Sequence, residues 1–240
     1  MAKFQLSADP QGLAQPIYSS SASQLHGLGE RAVIGGQVFR YVKAGTTALV
    51  VGNALQAPVQ DVDHDQLVAT AAAIGAETIT VTTGSSAVTL NQYADGWATI
   101  AVTPGLGYQY PIKGHPAAAT TATCVLTLGR PVEVALTTSS RVTLTMNPHK
   151  GVIQHPVTTA SGVPVGGAVY PIAISEFGWI QSNGPGAGLI AGTPAVGQPV
   201  TTTGAVAGAL TVHSAELSNV AYMLTTGVDQ QVVPVYWLLG

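Results

Sequence analysis

The sequence predicts an all-β protein, and three observations carry that expectation. Apolar residues recur with a period of two along most of the chain, which places them on one face of a strand and Thr on the other. Turn-forming clusters recur about every 8–12 residues, the spacing of short antiparallel strands in a sandwich or barrel. Charge is scarce: Asp, Glu, Lys and Arg make up 8 % of the 240 residues, against roughly 25 % in an ordinary soluble domain. Two small antiparallel β-sandwich or barrel units are expected, preceded by an extended N-terminal arm.

Residues 1–30 are rich in Ser, Ala, Gln and Gly and carry only scattered apolar residues. They are expected to form an arm that orders on a partner, with Phe4, Leu13, Ile17 and Tyr18 as its spaced anchors and candidate partner-binding residues. Residues 31–157 form the first β domain. Alternation marks strands at Thr78–Thr82, Trp97–Val102, Cys124–Leu128, Val132–Leu136 and Val142–Met146. Between them lie Thr83-Gly84-Ser85-Ser86, Asp95-Gly96, Pro104-Gly105, Gly129-Arg130-Pro131 and Asn147-Pro148, all turn chemistry. The Ala-rich stretch Asp65–Ala73 reads equally as strand or short helix. After His155-Pro156 a Thr-, Ser- and Pro-containing stretch suits a linker, and residues 158–240 form the second β domain. Its strands are expected around Ala168–Ile174, Gly178–Ser182, Ala205–Val212, Val220–Thr225 and Val232–Leu238. Gly184-Pro185-Gly186-Ala187-Gly188 lacks the G-K-[ST] ending of a phosphate loop and is read as a surface loop.

No residue set here supports catalysis. Asp61-Val62-Asp63-His64-Asp65 opens like a calcium loop, but Gln66 replaces the required Gly and Ala72 the bidentate Glu, so a solvated turn is expected. The six histidines form no H-x-x-x-H or H-E-x-x-H pair, and His115-Pro116 and His155-Pro156 suit turn caps at strand ends. Cys124 sits in an alternating strand without a nearby charge, as a small buried hydrophobe. Tyr108 and Tyr110 alternate on one strand and suit core or interface packing. Neither an enzyme, a metal site nor a cofactor is expected.

Net charge is −3 and the eight basic residues make no patch, which excludes the electrostatic footprint of a nucleic-acid binder. No apolar run approaches the ~20 residues of a membrane helix. The first ten residues hold no apolar core of a secretory signal, so synthesis in the cytoplasm is expected. A chain so poor in solubilising charge, and not built for lipid, is expected to have much of its surface covered by other protein.

Several stretches resemble structural proteins of tailed bacteriophages, in particular head-decoration or capsid-cement proteins. They are Gln37-Val38-Phe39-Arg40-Tyr41, Asn91-Gln92-Tyr93-Ala94-Asp95-Gly96, Tyr110-Pro111-Ile112-Lys113-Gly114-His115-Pro116 and Ala135-Leu136-Thr137-Thr138-Ser139-Ser140. The second half adds Phe177-Gly178-Trp179-Ile180-Gln181, Gly192-Thr193-Pro194-Ala195-Val196-Gly197 and Tyr222-Met223-Leu224-Thr225-Thr226-Gly227-Val228. The resemblance implies a non-enzymatic virion protein on the capsid exterior. Such a protein binds the mature icosahedral shell, often as a homotrimer, and cements neighbouring major capsid subunits. It transfers no catalytic residue. The alternative is a carbohydrate-binding or adhesin-like β module displayed on the virion, with Trp97, Trp179, Trp237 and the tyrosines on an exposed face.

Overall fold

Strands form where the sequence alternates, and also where it does not. The computed structural model describes residues 14–157, 161–202, 206–213 and 219–240. In chain order the strands begin with β1 (Ser20–Ser21), β2 (Arg31–Ile34), β3 (Gln37–Ala44), β4 (Ala54–Gln56), β5 (Leu67–Val68) and β6 (Thr78–Thr82). Then come β7 (Trp97–Val102), β8 (Gln109–Gly114), β9 (Thr123–Leu128), β10 (Arg141–Thr145), β11 (Lys150–Gln154) and β12 (Pro164–Ala168). The last are β13 (Phe177–Leu189), β14 (Pro199–Thr201), β15 (Thr211–Val212), β16 (Ala221–Met223) and β17 (Val232–Leu238). One 3-10 turn at Val62–His64 is the only helical segment among the described residues. The protein is all-β, with two barrel-like sheets.

The chain divides into two compact units, and the division is not the linear one expected at 157/158. One unit is discontinuous, residues 1–58 with 148–240; the other is the uninterrupted span Val59–Asn147. The reason is strand pairing. β4 and β11 are antiparallel neighbours, with Gln56 opposite Ile153 and Leu55 opposite Gln154, so the span 59–147 is inserted into the loop of one hairpin. Strands β12 and β13 then complete the barrel that β3 and β4 began.

In the discontinuous unit, β3, β11, β4, β12 and β13 pair in turn, and β13 pairs back onto β3. The ring of five strands closes with one parallel contact, β3 with β11, and antiparallel contacts elsewhere. Val42, Leu49, Leu55, Val152, Ile172 and Ile180 fill it. β2 hangs on β3 by a hairpin whose turn, Gly35-Gly36, has φ of 56° and 84°. Positive φ at both central residues is the turn geometry whose twist matches the flanking strands, and Gly adopts it without steric cost.

β13 belongs to two sheets. Its first half, Phe177–Asn183, closes the barrel against β3. Its second half, Asn183–Leu189, pairs with β17, which continues through β16 and β14 to β15. The register shifts between Gln181 and Asn183 and Gly184 has φ of 89°, so the strand bends there. The Gln181 side chain fills the bend. Its amide nitrogen lies 2.9–3.2 Å from the carbonyl oxygens of Asn183, Gly184 and Pro185. A Cβ on Gly186 would overlap Gln181 Oε1. The run Gly184–Gly188 is therefore a strand rather than the expected surface loop. Its glycines allow close approach to the Gly36 backbone, to Gln181, and to the Leu210 and Val235 side chains.

In the inserted unit the sheet order is β5-β10-β7-β8-β9-β6. A bridge from Ala69 to Val81, with Thr70 N–H donating to Thr80 O at 2.9 Å, nearly closes it into a barrel. Ile79, Val81, Ala98, Ile100, Tyr110, Ile112, Cys124, Leu126, Val142 and Leu144 point inward. Thr78, Thr80, Thr82, Thr123, Thr127, Thr143 and Thr145 alternate with them outside the core. Asp65–Ala73 is not helical; it supplies β5 and bridges at Ala69 and Ala72. Val132–Leu136 is no strand either, although Val132 and Leu136 are buried, because its backbone bonds to the loops at Gly75, Ala76 and Ala72.

Two expectations follow from this topology. Replacing 59–147 by a short Gly-containing turn should leave the five-strand barrel folded, because the β4–β11 hairpin needs only its ends brought together. The check is a single cooperative urea transition with native Trp179 and Trp237 fluorescence. Gly186→Ala should cost about 1–3 kcal/mol by overpacking the Gln181 amide, measured as a lower urea midpoint.

Candidate interaction surface

The residues expected to bind a partner separate in the structure. Ile17 is buried in its own barrel unit, packed with Phe39, Tyr41, Phe177 and Trp179. Tyr18, one position on, is 66 % exposed. Phe4 and Leu13 lie outside the described residues. From residue 14 onward, then, the expected free arm is part of the fold, and the anchor role of Ile17 is corrected to a core role.

Gln15 explains why. It is buried, and its side-chain nitrogen donates to Phe177 O and Ser19 O at 3.0 Å each. Its side-chain oxygen accepts from the Tyr41 hydroxyl at 2.6 Å, and its backbone oxygen accepts from Trp179 Nε1 at 3.0 Å. The backbone N–H donates to His26 Nε2 at 3.2 Å, which leaves His26 Nδ1 to donate to Glu30 Oε1 at 3.0 Å. The His26 ring meets Tyr41 and Trp179 edge-on at 5.1 and 4.9 Å. β1 then adds to β13. The composition of 14–30 is arm-like, but one fully satisfied glutamine holds the segment down.

The titratable clusters are likewise turned inward. Asp61 Oδ1 accepts the Asp63 N–H at 3.0 Å, capping the 3-10 turn, and Asp63 Oδ2 accepts the Ser86 hydroxyl at 2.6 Å. Asp65 accepts the Thr143 hydroxyl. His64 is fully buried, with Nε2–H donating to Ser86 O at 3.1 Å and Nδ1 accepting from Tyr93 Oη at 2.6 Å. Burial first, and the Asp61 charge second, push the Tyr93 phenol far above its ordinary value. His115 and His155 each donate Nδ1–H to the carbonyl of the following proline, at 2.9 and 3.0 Å. Their Nε2 atoms accept from Tyr93 N–H and from the Thr202 hydroxyl. Burial raises the Cys124 thiol. The described residues hold no group of three His, Cys, Asp or Glu side chains placed to bind a metal ion.

What the protein presents outward is an uncharged sheet face. Residues 177–240 contain no Lys or Arg and only Glu216 and Asp229 as acids. In β17 the side chains alternate: Val233, Val235 and Trp237 enter the core with Ala221, Met223 and Val200, whereas Val232, Pro234, Tyr236 and Leu238 face out. Pairing extends the outer set into rows, since residues directly opposite share a face. Pro185, Tyr236, Tyr222 and Pro199 form one row across β13, β17, β16 and β14. Ala187 and Pro234 form the next, with Leu224 beside them, and Leu189 and Val232 the third. Tyr222 and Tyr236 are 40 % and 39 % exposed. Such a face can bury apolar area against a partner.

No helix among the described residues is long and apolar enough to cross a membrane. No family model, curated protein or solved structure matches the chain. Sequence alternation pointed to β17, but the partner strand in 184–188 was hidden by its glycines, so the face as a whole was not legible.

The histidines set a pH dependence. Burial, with the Arg40 guanidinium second, pulls His149 down to about 4, and burial also lowers His155. Unfolded, each takes up a proton near pH 6.5. The unfolded chain thus binds more protons between about pH 6.5 and 4, and stability falls as pH drops through that window. Urea midpoints should decline from pH 7 to 4.5, and His149→Gln should remove on the order of 1–2 kcal/mol of that decline.

Proposed function

We propose that the protein is a non-enzymatic structural component of a tailed-phage virion that binds the outside of the mature capsid and cements neighbouring major capsid subunits. The observation that carries this is the scarcity of charge, 8 % of the residues, on a chain in which Asp61, Asp63, His64, His115 and His155 are held by hydrogen bonds within the protein. A solvent-facing surface of that kind is an interaction site. The resemblance to decoration proteins supplies the partner, and the −3 net charge without a basic patch agrees with a position away from packaged DNA. A protein that binds only the expanded shell stabilises it by mass action, and many copies acting together multiply weak contacts. Assembly as a homotrimer, synthesis in the host cytoplasm and a place on the capsid exterior belong to the same proposal. Phe4, Leu13 and Tyr18 remain its capsid-contacting candidates.

One feature favours the carbohydrate-binding alternative: Tyr222 and Tyr236 lie side by side on a flat face. Their neighbours Pro185, Pro234, Val232 and Leu224 offer no side-chain hydrogen bonds for sugar hydroxyls, which favours a protein partner.

Co-sedimentation decides. The chain should pellet with expanded shells and not with unexpanded ones. Replacing Phe4, Leu13 and Tyr18 together by Ser should lower shell occupancy about tenfold or more while the unfolding midpoint of the body stays put. Absence from both pellets, with glycan-array binding instead, would replace the capsid proposal by the carbohydrate one.

A further inference from the structure

We infer that the outer face of β13, β17, β16 and β14 is the surface through which the protein associates with further copies of itself. The choice of partner rests on the assembly function proposed above; the face itself rests on the strand pairing. Two tyrosines at 40 % and 39 % exposure and six further apolar side chains leave on the order of 500 Å² of apolar surface open. That lies in the upper half of the ~300–600 Å² range for the largest patch on a monomer and is more than half of the ~800 Å² each partner gives a standard interface.

The chemistry selects a second copy. β13, β14, β16 and β17 contain no charged residue, so two such faces meet without like-charge repulsion and without a charge left unpaired. A charged partner would find nothing to pair with, and a lipid surface would find no Lys or Arg for its phosphates. Pro185, Ala187 and Pro234 have no rotamer freedom to lose, and tyrosine loses little, so the face is pre-organised for contact. The bend in β13 lies at 181–184, before Pro185 opens the first row, and from there the register with β17 is continuous to Leu189. Regular rows of this kind pack on the same rows of another sheet about 10 Å away. Rows packed on the same rows are related by a two-fold axis and give a dimer, and the trimer that the decoration-protein resemblance implies needs a further contact between different patches.

Sedimentation velocity of the full chain tests this. The wild type should run as a dimer or a larger assembly at micromolar concentration. Tyr222→Glu with Tyr236→Glu puts like charges opposite one another in the contact and should raise the dissociation constant at least about a hundredfold. Trp fluorescence should stay native. If the glutamates unfold β17, Val232→Thr with Leu238→Thr keeps strand propensity and should weaken association about tenfold. Ile74→Glu with Leu106→Glu, more exposed still but in the inserted unit, should leave the association unchanged. A monomeric wild type, or folded face variants that still associate as the wild type does, or equal dissociation by the inserted-unit pair, each overturns the inference. A chain that associates through this face yet never pellets with shells would sink the capsid proposal and leave this one standing.

Discussion

The bend in β13 is the constraint on which the rest of the discontinuous unit depends. One strand has to close a five-strand barrel with its first half and start a second sheet with its other half. A straight strand cannot do both. Gly184, at φ of 89°, turns the backbone, and the buried Gln181 amide nitrogen lies within hydrogen-bond distance of the carbonyls of Asn183, Gly184 and Pro185. Gly186 leaves the space that the amide occupies. Barrel closure, the core under Trp237 and the outward rows of Pro185, Tyr236 and Tyr222 all follow from that local geometry.

A second feature runs through both units: several polar side chains are buried, while apolar ones such as Ile74, Leu106, Tyr222 and Tyr236 are exposed. Gln15, Gln181, His64, His115 and His155 are buried with their hydrogen bonds met internally. Buried polar groups satisfied in this way define one arrangement of the surrounding backbone, because each alternative would leave a donor or acceptor unpaired in a low dielectric. The outer walls are left to Thr, Pro, Val and Tyr. A surface of that composition gives up little rotamer entropy and little hydration when another protein covers it, and this is why its scarcity of charge points to assembly.

Where the sequence could be read, it was read by period. Ile79 and Val81, Ala98 and Ile100, Cys124 and Leu126, Val142 and Leu144, and Val233, Val235 and Trp237 all alternate into a core. Reading failed where a residue's role is set by something distant in the chain. Gly184–Gly188 has loop composition, but the glycines serve close contact with Gln181 and with Gly36 of the β2–β3 turn. Ile17 looked like a partner anchor until Gln15 tied it to Phe177 and Trp179, more than 150 residues away. The inserted span was invisible because turns like Asn147-Pro148 recur along the whole chain, and no composition shift marks either junction.

The sequence by itself determined that the protein is all-β, that its strands are short, and that only 8 % of its residues carry charge. These follow from residue type and local spacing, which need no knowledge of partners. The tertiary structure decided which strands close together, that residues 59–147 are an insertion, that 14–30 belong to the body, and that Tyr222, Tyr236, Pro185 and Pro234 share one face. Those are questions of register and strand order. They depend on hydrogen bonds between residues far apart in the chain, for which a single sequence carries no local signal.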